Sequence, residues 1–529
     1  MAVDPFMIEV VRNGLSSVAE EMSLVVMRAA RSPVLREAGD LSSNLTDADG
    51  FQIAQGQDVP MHMGVMSFTV REFLKVIPKA QLCEGDVWML NLPDVGGNHL
   101  PDVKCIRPIF YEGKIRSFSI SLAHWGDTGG GAPGSYFADA YDCWQEGLRI
   151  PPLRIVTKDG IDEEKLGFVL ANVRAPETCR GDILAQIAAT SVAESRLHDM
   201  FRKWGADHVE AIFAAMHDQA EVQMRRAIHD LPNGVYEGSD SMDDDGHGGP
   251  AAKIRVRITV RDDNVTMDYS GSDDNVPGPI NTTRYITAAS SYYVIKSLLG
   301  PDLQASGGCY RPIEVITRPG SICDARPDKP VVGGNHETSQ RIADAAFRAL
   351  ARVVPARVTA GGPTTSGLAL FGACREDGKW VTLYETHGGG EGARADRDGA
   401  DVIRAHMSNV MNTPAEIIET EYPINIEYQR LREHSGGHGR HEGGRGQERA
   451  YRMRVNDVTL TTMFERRDVA PYGLEGGEEG AKFEMILRKQ GSNEDSPLPG
   501  KTNIRIHSGD LVIVRSCGGG GYGAPEQGH

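Results

Sequence analysis

DVWMLNLPDVGGNHLPDVKCIRPIFYEGKIRSFSISLAHW, residues 86–125, alternates short apolar runs with turns. The runs "DVWML", "CIRPIF" and "IRSFSISLA" have the length and β-branched or aromatic content of strands. "YEGK" reads as the hairpin turn between the last two. His99 and Asp102 then sit in the loop before one strand, and His124 at the end of the next. Antiparallel pairing would bring those ends together. This predicts strands joined by hairpins, and with them a cluster of two imidazoles and a carboxylate.

Working outward, helices flank this stretch. Asp4 and Pro5 suit an N-cap and a first helical position. Ile8, Val11, Leu15, Val18, Met22, Val25 and Ala29 recur at helical spacing, so a helix is expected over about 5–30, stopped by Pro33. "REAGDLSSNLTDADG" (36–50) reads as a loop, with Asp49-Gly50 turning into the strand "FQIAQ". Residues 182–230 read as two helices parted by Gly205. "KIRVRITVRDDNVTMDYSGS" is a hairpin: Ile254, Val256, Ile258 and Val260 alternate with polar residues, and Asp263-Asn264 turns the chain. "TSQRIADAAFRALARVV" is a further helix (about 338–354), capped by Thr338 or Ser339. From about 355 onward short strands and glycine loops predominate, including the low-complexity stretch 433–447.

The expected fold class is α+β, multi-lobed, with mixed sheets. A chain of 529 residues accommodates about three or four lobes at roughly 100–200 residues each. The boundaries read as 1–180, a helical segment 181–235, a central α+β lobe 236–355, and a strand- and glycine-rich part 356–529. The formal charge of −17 argues against a nucleic-acid partner. Eight scattered cysteines without a C-x-x-C pair argue against zinc ribbons and a disulfide framework. The N-terminus lacks a basic region followed by an apolar run, and no apolar stretch reaches a membrane span, so a soluble cytoplasmic protein is expected.

Histidine nitrogen and carboxylate oxygen suit Zn²⁺, Mn²⁺ or Fe²⁺. An H-x-x-D pair in a loop is also a common hydrogen-bonding pair, so spacing leaves both readings open. Four other stretches tempt. "GGNHETSQR" (333–341) sets His336 and Glu337 before a helix, where an anion site or a capping box would fit; the box is the plainer reading. "THGGGEGARADRDGA" (386–400) lacks the strand–loop–helix context of a P-loop. His434, His438 and His441 lie in a glycine loop that makes weak metal ligands. "CGGGGYGAP" looks like a tight-packing element, and its Cys517 has no base partner in sequence.

Long, ordered motifs identify the family. "VLREAGDLSSNLTDADG", "DVWMLNLPDVGGNHLPDV", "HWGDTGG", "GPINTTRYIT", "GGNHETSQRIADA", "GGGEGARADRDGADVIRAHMSNVMNTPAEIIETEYP" and "CGGGGYGAP" together resemble the hydantoinase B/oxoprolinase family, from about residue 4 to 526. The resemblance implies a B-type subunit of an ATP-dependent cyclic-amide hydrolase, opening a lactam, hydantoin or 5-oxoproline ring. A separate ATPase-type A subunit would carry ATP and Mg²⁺ and phosphorylate the substrate, in a hetero-oligomer expected as α2β2 or larger. It also implies a divalent metal, zinc first, on His99, Asp102 and His124 with Asp40 as fourth ligand. His99 and Asp102 then serve catalysis, with Asp127 orienting a ligand or a proton. Two alternatives stay open: a ketone carboxylase subunit, with bicarbonate as co-substrate, and a non-catalytic metal-bearing scaffold.

Overall fold

The computed structural model describes residues 3–303 and 305–525. Its N-terminal part is built on a seven-stranded sheet: β1 (Leu41–Asp47), β2 (Gln52–Gln55), β3 (Val87–Leu90), β4 (Asp102–Tyr111), β5 (Lys114–His124), β6 (Leu153–Thr157) and β7 (Gly160–Ile161). The order across the sheet is β2-β1-β5-β4-β3-β6-β7, and neighbours run antiparallel. Both faces are covered. The helices Pro5–Ala29 and Pro176–Trp204 pack on one face through Val11, Leu15, Ile183 and Ala189, against Val103, Cys105 and Ile109. The helix Val65–Val76 covers the other through Met66, Val70 and Phe73, against Ile106, Phe118 and Ile120.

The β4–β5 hairpin fixes the geometry that matters. Its turn residues Glu112 and Gly113 have φ of 53° and 73°, the positive values a two-residue hairpin turn demands. Tyr111 pairs with Lys114, and Phe110 with Ile115, but Ile109 pairs with Ser117, so Arg116 is an extra residue. A strictly regular ladder from that turn would set Ala123 opposite Asp102. The bulge moves the register by one and sets His124 there instead. Directly opposed residues share a face.

The sequence reading needs correction in places. Residues 41–47, read as loop, form β1 between β2 and β5. Its Ser42, Ser43, Asn44 and Thr46 are all buried. Ser42 pairs with His62 (2.8 Å) and Asn44 donates to Gln52 (2.8 Å), while the Ser43 amide donates to Asp58 (2.8 Å) and its hydroxyl has no partner. The turn of the second hairpin is Asp262-Asp263, one residue earlier than expected. The helix Ser339–Leu350 has no side-chain cap. A π-turn, Gly334–Thr338, runs directly into it, so its first amides are already bonded. The helices 5–29, 176–204 and 206–229 match the periodic reading. Arg284–Leu299 is a helix that periodicity missed, because it is buried on most of its circumference.

The strands 234–241, 253–261, 264–268 and 313–316 form a central four-stranded sheet, backed by the helices 284–299 and 339–350. Two further sheets, of four and five strands, face each other across a core of Phe371, Tyr451, Leu460, Phe483 and Val512. The glycine loops knit this end together by backbone contact. A Cβ on Gly390 would stand 1.7 Å from the Gly444 carbonyl oxygen, and one on Gly519 1.8 Å from that of Glu391. "CGGGGYGAP" is thus a tight-packing element, and Cys517 is buried within it. Among the described residues no helix is long and apolar enough to cross a membrane.

Candidate metal centre

The hairpin register puts Asp102 opposite His124, and the preceding loop folds His99 over the pair. All three side chains are at most 2% exposed, and one ligand atom from each lies within 4.8 Å of the others. His99 Nε2 is 3.1 Å from Asp102 Oδ1, and His124 Nδ1 is 3.2 Å from the same oxygen. Asp102 Oδ2 accepts from Asn98 (2.9 Å) and Asn335 (3.3 Å) and lies 3.3 Å from His62 Nε2.

Protons decide what this arrangement can hold. His99 Nδ1 is 3.0 Å from the carbonyl of Val332, which can only accept. Nδ1 therefore carries the proton, and Nε2 of neutral His99 is a lone pair. That lone pair lies 3.1 Å from Asp102 Oδ1 and 3.1 Å from the Asn335 side-chain amide, which can donate to it. Asn335 has two protons to share among His99 Nε2, Asp102 Oδ2 and Met61 Sδ, which leaves the close approach of Nε2 to Oδ1 for a proton or a cation to relieve. His124 adds a second sign: its Nε2 is buried without a hydrogen-bond partner. Two imidazoles and a carboxylate, shut from water, with one fixed by a backbone carbonyl, fit a divalent transition metal.

Electrostatics agree in direction. Burial pushes His99 below the usual histidine range. Burial also opposes the charge on His124, but Asp40 and Asp102 outweigh it and raise the proton affinity. Burial would raise Asp102, yet His99, His124 and His62 hold its carboxyl well below the ordinary value. The cluster thus favours an anionic Asp102 at its centre.

The other expected residues fall in different places. Asp40 is buried beside the cluster, and its carbonyl accepts the His124 amide at 3.0 Å. It stands outside the group of three whose ligand atoms converge. Asp127 does not face the cluster's ligands through any hydrogen bond. Its oxygens accept from the amides of Gly129 (2.8 Å), Gly134 (2.8 Å) and Arg174 (3.2 Å), and from the Arg174 guanidinium (2.8 Å). It staples the loop after β5. His434, His438 and His441 do not join a metal-binding group among the described residues.

Several residues were missed. His62, in the turn Pro60–His62, is fixed by Ser42 and braces Asp102. Tyr384, from the strand 380–385, lays its ring 4.5 Å from that of His124. His336 and Glu337 lie on the π-turn and come to the cluster, with the His336 ring 6.4 Å from that of His99. Only the last pair left a trace in sequence, as an acid beside a histidine ahead of a helix.

The fold and this centre define a class. The chain belongs to the Hydantoinase B/oxoprolinase family, whose pattern it matches over residues 4–525. Caprolactamase subunit beta of Pseudomonas jessenii is 29% identical, over 99% of this chain and 91% of its own length. The 5-oxoprolinase of Dictyostelium discoideum is 30% identical over 99% of this chain, which spans only 41% of that longer protein. The crystal structure of ATP-dependent caprolactamase from Pseudomonas jessenii superposes with a TM-score of 0.94 at 28% identity, covering 99% of this chain and 92% of the other. Nucleotide-free acetone carboxylase shares the fold, with a TM-score of 0.90 at 19% identity over 99% and 76% of the two chains.

Proposed function

We propose that this chain is the metal-bearing subunit of an ATP-dependent cyclic-amide hydrolase and completes ring opening after a partner ATPase has phosphorylated the substrate. The observation that carries the reading is the paired aim of His99 Nε2 and His124 Nδ1 at one buried oxygen of Asp102. Family membership and the likeness to caprolactamase support the reaction class.

Amides resist water because nitrogen donates into the carbonyl. Phosphorylation of the amide oxygen by the partner removes that resistance and leaves an imidate-like carbon. His99, Asp102 and His124 would hold a divalent cation, zinc first, with Asp40 as a further ligand from the side. Such an ion supplies Lewis acidity and makes hydroxide available at neutral pH. The protein's own contribution is orientation and exclusion of water. Val332 fixes the His99 tautomer, Ser42 and His62 fix Asp102, and Tyr384 closes one side of His124. Ligands that cannot rotate keep a reactive geometry.

Metal content and activity are measured on the wild type, His99→Ala and His124→Ala. The wild type should carry about one divalent ion per chain and open caprolactam or a hydantoin only with ATP and its partner. Both variants should lose the metal. Equal metal in all three sinks the assignment. The likeness to acetone carboxylase supports the fold alone; incorporation of labelled bicarbonate into a ketone, without ring opening, would favour the carboxylase reading.

A further inference from the structure

Among the buried polar atoms around the cluster that lack hydrogen-bond partners, which include Asn98 Oδ1, Asn335 Oδ1 and Glu337 Oε2, three belong to basic side chains: His124 Nε2, His336 Nε2 and Arg404 Nη2. The first belongs to the metal centre. The other two come from distant segments, the π-turn at 334–338 and the loop that follows "GGGEGARADRDGA". Ser366 ties them together. Its carbonyl accepts Arg404 Nη1 at 3.0 Å, its amide donates to Glu337 Oε1 at 3.0 Å, and that oxygen lies 3.0 Å from His336 Nδ1.

The two free atoms have opposite characters. Arg404 Nε donates to the Val410 carbonyl at 3.1 Å, so two bonds hold the guanidinium and leave Nη2 unused. Among the described residues Arg404 makes no ion pair within 4 Å, although the charges of Glu385, Asp40 and Glu337 bear on it. A guanidinium can only donate, and a shielded one without an anion is costly. On His336, Nδ1 faces a carboxylate oxygen, so Nδ1 carries the proton and Nε2 is an acceptor. Arg404 also lines a cavity of about 260 Å³ with Tyr293, Phe347, Gly362 and His406, a cavity that His336 does not reach.

We infer that Arg404 and His336 form a recognition subsite beside the metal centre, for a substrate that presents an anionic oxygen to Arg404 and an N–H or O–H to His336. The inference rests on reading the cluster as the reaction centre. It makes Arg404 a specificity residue and predicts that a neutral lactam without an anionic group is a poor ligand of this chain. The anionic oxygen has two sources with the same chemistry: a carboxylate on the ring, or the phosphoryl group added by the partner.

Calorimetric titration of the purified zinc-loaded chain tests it with three probes: 5-oxoproline, 2-pyrrolidone (the same ring without the carboxylate) and inorganic phosphate. A carboxylate source predicts that 5-oxoproline binds at least ten times tighter than 2-pyrrolidone. A phosphoryl source predicts that phosphate binds and the two lactams do not differ. In either case Arg404→Gln should weaken the anionic probe at least tenfold, Arg404→Lys should restore part of it, and zinc content should not change. Binding of none of the three, or binding of the anionic probe within twofold of wild type in Arg404→Gln, overturns the subsite. Absence of zinc from the wild type is a separate result, which strikes the metal reading instead.

Discussion

Two clusters of buried charge lie within this molecule, and they are built differently. Where the central sheet meets the C-terminal sheets, Arg466 pairs with Asp240 (3.0 Å) and Asp344, Lys501 with Glu465 (2.6 Å) and Asp244 (3.3 Å), and Arg341 with Glu465 (3.5 Å). With Arg467 on Asp244 at 3.0 Å, four cations there meet four carboxylates, each with an opposite partner inside 4 Å. In the N-terminal cluster the Asp102 carboxylate faces three imidazoles, no lysine or arginine of the described residues lies within 4 Å of its oxygens, and His124 Nε2 has no partner. A balanced network can hold two lobes together. An unbalanced one, equally buried, lacks a positive charge that something else must bring. Burial is common to both; the shortfall is what supports the proposal that the second holds a metal.

The sharpest way to break this contrast is to remove one charge from each cluster. Asp102→Asn keeps the shape of the side chain and abolishes the anion on which the imidazoles converge. Metal should be lost and ring opening should fall about a thousandfold or more, since loss of a metal-derived nucleophile costs several kcal/mol and each ~1.4 kcal/mol is tenfold. Thermal stability should fall less than on breaking a buried ion pair, because no lysine or arginine of the described residues lies within 4 Å of the lost carboxylate, although the buried Lys104 loses the charge that favours its ammonium. Substrate-dependent ADP formation by the partner should persist for at least one turnover. Ring opening at the wild-type rate in a variant verified to be metal-free would place hydrolysis in the partner and leave this chain a scaffold.

Arg466→Met should behave in the opposite way. Asp240 and Asp344 would be left buried without their common cation, and breaking a buried pair from one side costs about 3–5 kcal/mol. Denaturant unfolding should show that loss, while the folded fraction retains its metal. Metal loss without destabilisation would erase the distinction between the two clusters.

The sequence was informative where one hairpin does the work. His99 ahead of β4, Asp102 at its first position and His124 at the end of β5 were legible because strand ends meet when neighbouring strands pair, although the sequence reading had left Asp102 in the loop. What sequence did not reveal was the bulge at Arg116, without which Ala123 would stand opposite Asp102. The polar β1 was read as loop because the Ser42 and Asn44 side chains and the Ser43 amide find their partners only in residues outside the strand. His62, Tyr384 and Arg404 reach the centre from segments with no fixed spacing to it. His336 and Glu337 drew notice for a cap that a π-turn makes unnecessary.

The smallest expected effect tests whether the N-terminal cluster is also a stability element. Asp58 pins β1 to the first helix, accepting from the Ser43 amide at 2.8 Å and from the Ser23 hydroxyl at 2.9 Å. Burial pushes its carboxyl up to about 6, against the partial opposition of those two donors and of His62. A carboxyl raised in the folded state binds its proton more tightly there than in the unfolded chain, whose value stays near 3.8. Folding is therefore favoured while that proton is held, and the contribution fades as pH rises from about 4 to about 6, then stays level. At ~1.4 kcal/mol per pH unit the ceiling is about 3 kcal/mol, and relaxation should bring the observed change nearer 1. Other carboxylates titrate over the same range, so the readout is the difference between wild type and Asp58→Asn in urea unfolding at pH 4, 5, 6 and 7. Relative to the variant, the wild type should lose stability up to pH 6 and hold steady above it. A difference that grows with pH would mean that the two hydrogen bonds outweigh burial, and that Asp58 is held as an anion, as Asp102 is.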